Sequence, residues 1–340
     1  MSKFACIAAA ALMAAALSST QAHAQSKVDF AGKTVTVVSS FASGGGYDIY
    51  GRLYAAHVSQ HLPGNPTVVV RNMPGAGGLI GTNYLYNVAP KDGTMVGVVP
   101  QTVAIAHVLG AAGAKFDVGK FNWIGRINSN SELEQTWYLS KVKTIADAKI
   151  NQAVLAGTGP DSSSVVFPRI LNDMFGMKFK VVPGYEGVSM AALAMERGEV
   201  DGIVRPWAVT KTVHPEWLKE KKINLLVQYS VERHSELKDV PAVVDLAEND
   251  SQRQILGLYA SGSDIGRSIV APPGLTAPVL AVMRAAFQDT MKDPAFLKDI
   301  EDNQLDFDPL SGEKLQEIVR RVEDVPSSVV ETARKYSEVK

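Results

Sequence analysis

Cysteine is almost missing from this 340-residue chain: the one copy is Cys6. It lies in an N-terminal segment that reads as a secretory signal, so the exported chain would hold no disulfide, thiolate metal site or cysteine nucleophile. An excess of either charge is also missing, with 34 Lys and Arg against 35 Asp and Glu. That balance leaves no nucleic-acid footprint and no basic membrane patch. After the N-terminus no run of 18 uninterrupted apolar residues occurs, which excludes a further simple membrane span. Several motifs are absent too. There is no Gly-x-x-x-x-Gly-Lys-Ser/Thr, and Gly81 falls one residue late for the dinucleotide fingerprint that Gly75-Ala76-Gly77-Gly78 would open. There is no Gly-x-Ser-x-Gly elbow. His57 and His61 share a predicted helix face but lack a His-Glu-x-x-His context and a third ligand, so a polar helix face is expected there. No cofactor, metal or nucleic acid is expected.

What is present begins with that signal. Lys3 supplies a positive start, Ile7 to Leu17 an alanine-rich apolar core, and Ala22-His23-Ala24 a small-x-small cleavage site. Residues 1–24 are read as removed, with the mature chain starting at Gln25. The core is too short for a stable anchor, and Cys6 lies away from the cleavage point, which argues against a lipoprotein.

The mature chain alternates β-branched runs with helical ones. Thr34 to Val38, Thr67 to Val70 and Thr94 to Val99 read as strands. Between them lie a helix in which Ile49, Leu53, Ala56, Tyr54 and Val58 recur, and a second that begins at the glycines near Ala76. This βαβαβ order implies a parallel sheet with right-handed crossovers. A second series follows: strands at Gln135 to Leu139, Ala153 to Ala156, Phe179 to Val182, Val200 to Val204 and Ile223 to Val227. Its helices are Ser163 to Phe175, with Pro168 in the first turn, and Ser189 to Arg197. Ser268 to Ala271 reads as a return strand, followed by amphipathic helices over Pro278 to Met291, Glu313 to Val322 behind a Ser311 N-cap, and Ser327 to Tyr336. The fold class is α/β with two lobes and a cleft: lobe 1 from residues 25–126 and 259–340, lobe 2 from residues 127–258.

Four turns follow predicted strands: Phe41 to Asp48, Arg71 to Gly78, Gly157 to Ser164 and Pro183 to Ser189. Glycines permit positive φ and close approach, and the first turn of a helix leaves N–H groups unpaired with a partial positive charge. The turn from Phe41 to Asp48 is therefore an anion seat. Two turns in each lobe make facing N–H-rich surfaces suited to carboxylates. Arg205, read at a strand end beside Trp207, suits either a bidentate pair with a distal carboxylate or a surface ion pair. Gln101 could donate to a ligand or cap a turn. Trp123, Trp137 and Trp217 read as packing residues.

Phe41-x-x-Gly44-Gly45-Gly46-x-Asp48, Asn72-x-Pro74-Gly75-Ala76-Gly77-Gly78, Ala89-Pro90-Lys91-Asp92-Gly93, Gly184-Tyr185-Glu186-Gly187, Gly198-Glu199-Val200-Asp201-Gly202 and Ala271-Pro272-Pro273-Gly274 together resemble the periplasmic receptors of tripartite tricarboxylate transporters, the Bug receptors. The resemblance covers nearly the whole mature chain. It implies a type II periplasmic binding fold that captures a small organic acid for a separate membrane permease, acting in the periplasm as a monomer and not as an enzyme. It implies proximal ligand contacts at Phe41, Ser43, Gly45, Gly46, Gly75, Ala76 and Gly77. Asp48 would be a helix-start cap or water holder, and Thr158, Ser162, Ser163, Tyr185 and Gly187 would close from the second lobe. Tyr47 replaces the family's usual threonine, so it is expected to narrow the pocket or stack on a ligand ring. The residues alone leave open a secreted α/β hydrolase of small esters or amides, with His57, His61, His107, His214 and His234 as available bases, none of them in a triad motif.

Overall fold

The computed structural model describes residues 28–337, apart from 42, 158–161 and 186–187. The signal segment and two expected contacts, Thr158 and Gly187, lie outside the described residues. The chain runs β1 (Thr34–Ser39), α1 (Gly46–Val58), β2 (Thr67–Asn72), α2 (Leu79–Asn87), β3 (Met95–Val98), α3 (Val103–Val108) and β4 (Asn122–Asn128). It continues through β5 (Glu132–Trp137), β6 (Ala153–Gly157), α4 (Ser163–Phe175), β7 (Phe179–Pro183), α5 (Val188–Glu196), β8 (Gly202–Pro206), α6 (Trp207–Val213), α7 (Pro215–Lys219) and β9 (Ile223–Gln228). It ends with α8 (Asp250–Ile265), β10 (Arg267–Ala271), α9 (Ala277–Thr290), α10 (Pro294–Asp302), β11 (Leu310–Ser311), α11 (Gly312–Glu323) and α12 (Ser327–Ser337).

The strands form two sheets, ordered β11-β4-β10-β3-β1-β2 and β7-β6-β8-β5-β9. Each is parallel on one side and antiparallel on the other. β1 pairs β2 and β3 in parallel, as the βαβαβ pattern requires, while β10 runs antiparallel to both β3 and β4. In the second sheet β6 pairs β7 and β8 in parallel, and β5 runs antiparallel to β8 and β9. The chain passes between sheets after β4, through Ser129–Ser131, and returns through Gly266 between α8 and β10. Gly266 has φ +52°, and a Cβ there would stand 2.1 Å from the Asn128 carbonyl oxygen, so the two crossings touch where only glycine fits.

Several elements differ from the sequence reading. α1 buries Tyr50, Tyr54, Ala55 and Val58, leaving Ile49 40% exposed and Ala56 outside. The tyrosines at i, i+4 carry the apolar area, and Gly51 lets the helix settle on Val98 and Val37. Each such side chain, fully buried, contributes about 1.5–3 kcal/mol. Pro168 is the sixth residue of α4, inside the helix rather than in its first turn. There it lacks the N–H that would bond to the fourth residue back, and its ring is wholly buried. α8 has no counterpart in the sequence reading, because Gly257, Gly262 and three serines interrupt its apolar pattern. Asn249 caps it, and Ser261 and Ser263 satisfy themselves on the Leu258 and Tyr229 carbonyls. β5 starts at Glu132, three residues early, and β8 ends at Pro206, beyond Arg205. In both, a charged side chain sits where an apolar one would have marked the strand.

Arg126, buried on β4, holds the crossing. It donates to the Asp264 carbonyl (2.6 Å), the Asp308 carbonyl (3.1 Å) and the Asp308 carboxylate (2.8 Å). A cavity of about 590 Å³ opens beside it, lined by Ser129, Ser131, Glu232 and Asp264 among others.

Inside the second sheet the Glu134 carboxyl is fully buried and accepts from the Tyr229 hydroxyl at 2.8 Å. Burial pushes its pKa up to about 8, against the opposing pull of that hydrogen bond. The folded protein therefore holds this proton more tightly than the unfolded chain. Its stabilising contribution is full below the unfolded value of 4.5 and is lost as pH rises through 8. Glu134→Gln keeps an acceptor for Tyr229 and removes the charge. Its melting temperature should exceed the parent's by several degrees at pH 8.5 and match it near pH 4.5; equal differences at both pH values would remove this group from the pH dependence.

Candidate functional site

The turn after β1 is built around Asp48. Its carboxylate, 1% exposed, accepts from the Gly44 amide (2.9 Å), Ser43 Oγ (3.2 Å), Arg52 Nε (2.8 Å) and Asn72 Nδ2 (2.7 Å). Burial alone would raise its pKa; Arg52, the Gly44 amide and Asn72 outweigh it and hold the group well below the usual carboxylate range. Asn72 also donates to the Phe41 carbonyl at 2.9 Å, so one carboxylate ties the start of the turn, its middle and the end of β2. Asp48 is thus turned inward, as a cap would be, and Ser43 is engaged by it.

With the turn fixed, Gly45 and Gly46 lie exposed at the start of α1, whose first amides have no intrahelical partner, and Gly45 supplies no side-chain cap. Gly75, Ala76 and Gly77 are exposed beside it, with φ of 129°, 48° and 62°. Gly78 joins the two segments: a Cβ there would stand 3.0 Å from the Phe41 ring and 2.5 Å from Pro100.

Tyr47 is not free to stack on a ligand. One face lies on Phe41, with centroids 4.2 Å apart and planes 14° apart. The other carries the Arg267 guanidinium, 4.0 Å from the ring centre, since two groups that close cannot share a face. Its hydroxyl accepts from the Gln101 amide at 3.0 Å. Gln101 Oε1 accepts from Arg267 Nη1 at 2.8 Å, and Asn130 Oδ1 faces Nη2 at 3.5 Å. Arg267 Nε lies 3.7 Å from where a Gly46 Cβ would be, so the guanidinium rests over the first turn of α1. No carboxylate among the described residues comes within ion-pair distance of it.

Across the crossing, Glu132 opens β5; burial raises its pKa, and Ser163, the first residue of α4, offsets part of that rise. Ser162 precedes it as N-cap and shares a 2.8 Å hydrogen bond with Ser164. Tyr185 packs on the core around Met195 and Trp217, and its amide donates to the Gly157 carbonyl. Arg205 lies over Trp217, in the core against which Tyr185 packs. It is 1% exposed, over the Trp217 ring at 5.2 Å, with one weak bond to the Val209 carbonyl and no partner at Nε or Nη1. It is in no surface ion pair; burial lowers its pKa to about 10 against the pull of Glu196 and Glu216. The structure brings Phe41, Gly46, Tyr47 and Gln101 together with Arg267 and Asn130, which the sequence reading did not select, and it places Glu132, also not selected, at the first position of β5. The available signal was topological. A return strand runs antiparallel, so its first residue lies at the edge where the parallel strands end.

His57 and His61 point to different carboxylates, Asp299 at 2.7 Å and Asp293 at 2.9 Å, and do not converge on one ion. His107–Asp117–Glu323 and Glu196–His214–Glu216 bring ligand-type atoms together. Each is already tied by its own neighbours, Lys120 and Gly119 in the first and Trp217 in the second.

Two open-edged α/β sheets joined by two crossings, with glycine turns and a lone guanidinium at that junction, define a two-lobed binding protein of the periplasmic type. The chain belongs to the tripartite tricarboxylate transporter receptor family, whose model matches residues 51–328. It is 26% identical over 302 residues to the "UPF0065 protein in gbd 5'region" of Cupriavidus necator, covering 85% of this chain and 83% of that protein. Its fold is shared with a TctC solute binding protein from Polaromonas (TM-score 0.70, 20% identity, 89% of this chain and 98% of that one). It is shared too with an R. palustris protein solved with adipate (TM-score 0.60, 18% identity, 90% and 99%). No helix among the described residues is long and apolar enough to cross a membrane.

Replacing Asp48 with alanine leaves the Gly44 amide without its acceptor and removes one of the two bonds that Asn72 Nδ2 donates. We expect a loss of about 2–4 kcal/mol in urea unfolding, together with loss of ligand binding at temperatures where the variant is still folded. Parental stability would show that the turn does not depend on this carboxylate.

Proposed function

We propose that the protein is a periplasmic receptor that captures a small organic acid and passes it to the membrane subunits of a tripartite tricarboxylate-type transporter. The observation that carries this is Arg267. A guanidinium held on Tyr47, bonded only to neutral amides and resting over the open turn of α1, offers a full charge and unpaired backbone N–H groups to one carboxylate. Family membership supplies the transporter. The adipate named for the R. palustris neighbour shows that this fold accommodates an organic acid.

The division into lobe 1 (residues 25–126 and 259–340) and lobe 2 (residues 127–258) is supported by the passages between the two sheets near Ser129–Ser131 and Gly266. An open form takes the acid on the first lobe, and closure about the crossing adds contacts from Ser162, Ser163 and the turns after β6 and β7. Cleavage after Ala24 releases the chain as a monomer. A receptor role without catalysis is favoured over a hydrolase because each described histidine ring is engaged by a carboxylate or a backbone amide rather than by a serine hydroxyl.

A thermal-shift screen of mono-, di- and tricarboxylates and aromatic acids tests the reading. A true ligand at a hundred times its Kd adds about 2.7 kcal/mol and raises the melting temperature by several degrees. Arg267→Met should weaken binding roughly a hundredfold. Gly45→Val should abolish it in a folded protein, because φ −83° and ψ 164° suit valine while its methyls fill the seat. Silence towards every acid, with turnover of an ester or amide, would favour the hydrolase.

A further inference from the structure

The two return strands bring opposite charges to equivalent places. Arg267 is the first residue of β10, beyond the carboxyl end of β3, where Ile269 pairs Val98. Glu132 is the first residue of β5, opposite Pro206 at the carboxyl end of β8. Each therefore sits at the carboxyl-end edge of its own sheet, on either side of the crossing, and Asn130, which faces Arg267, lies just before Glu132 in the chain. Glu132 is half-buried, and Ser163 at the start of α4 favours its charged form against the cost of burial. Arg267 is the cation whose charge reaches it, yet no ion pair joins the two. A guanidinium and a carboxylate thus stand at the carboxyl-end edges of the two sheets, on either side of the crossing, and no ion pair among the described residues joins them.

On the reading of this protein as an organic-acid receptor, we propose that its ligand is a monocarboxylate with a hydrogen-bond donor, a hydroxyl or an ammonium, at the far end. The carboxylate pairs with Arg267 over the first turn of α1, and the donor bonds to Glu132. A dicarboxylate would bring its second charge against Glu132 in a partly desolvated gap, where like charges repel strongly. Burial already makes the ionised form of Glu132 costly, and Ser163 and Arg267 only partly offset this. A bound donor supplies the missing partner, and a bound carboxylate deepens the penalty.

The test is calorimetric titration of the full mature chain with matched acids of three to six carbons. At each length the probes are the plain monoacid, the ω-hydroxy acid, the ω-amino acid and the α,ω-diacid. The wild type should bind a hydroxy or amino acid at least tenfold more tightly than the diacid and monoacid of the same length. In Glu132→Gln the diacid should gain at least tenfold. An ammonium ligand should lose as much in that variant, whereas a hydroxy acid should change little, which separates the two donors. A diacid that binds tightest to the wild type and gains nothing in the variant overturns the proposal while leaving the receptor intact. Failure of every acid to bind overturns the receptor reading itself. The wild-type ranking decides the question even if the variant does not fold.

Discussion

The site depends on one buried carboxylate. Asp48 sits at the start of α1 with four donors around it, drawn from the turn, the helix and the end of β2. A buried charge is costly unless fully paired, and here the pairing is what fixes the backbone. Because Gly44 and Asn72 are committed to Asp48, and Asn72 also holds the Phe41 carbonyl, the path from Gly44 to Tyr47 is tied to the end of β2. On that path the Phe41 and Tyr47 rings stack, and the outer face of Tyr47 becomes a shelf for Arg267. The first amides of α1 stay unpaired beside the shelf. The two charges are thereby kept separate: the Asp48 carboxylate is buried and paired, and the Arg267 guanidinium is bonded to neutral amides alone among the described residues.

Sheet topology does the rest. A purely parallel sheet would present only strand ends and helix starts at the cleft. Inserting one antiparallel strand into each sheet sends a strand's first residue to that edge, and in this chain both residues are charged. The same strands adjoin the crossing between the sheets, so on the proposed function the groups that hold the ligand flank the segments about which the lobes would close. Gly266 packed on Asn128 and Arg126 bonded to Asp264 and Asp308 restrain that crossing from the other side. The alternation of extended backbone puts Asn130 towards Arg267 and Ser129 and Ser131 towards the 590 Å³ cavity.

The fold was largely legible in the sequence because β-branched runs, glycine turns and helical spacing repeat in order, and the glycine motifs carry a family resemblance that the family match bears out. What stayed hidden is where polarity contradicts burial. α8 is interrupted by glycines and serines that satisfy themselves locally. Strands β5 and β8 contain Glu132, Glu134 and Arg205, which no apolar pattern would select. The turn of the site could be read from its glycines; its cation could not. Arg267 sits 220 residues along the chain from Tyr47, and only the antiparallel placement of β10 joins them. Tyr47, read as a contact for the ligand, has its ring against both Phe41 and Arg267, a packing that the sequence did not display.

A crystal structure with the tightest-binding acid tests the central claim most directly. The account predicts the ligand carboxylate against the Arg267 guanidinium, over the first-turn amides of α1, with Arg267 still lying on Tyr47. A carboxylate bound elsewhere, in the cavity beside Arg126 or at Arg205, with Arg267 left on its amide partners, would contradict it.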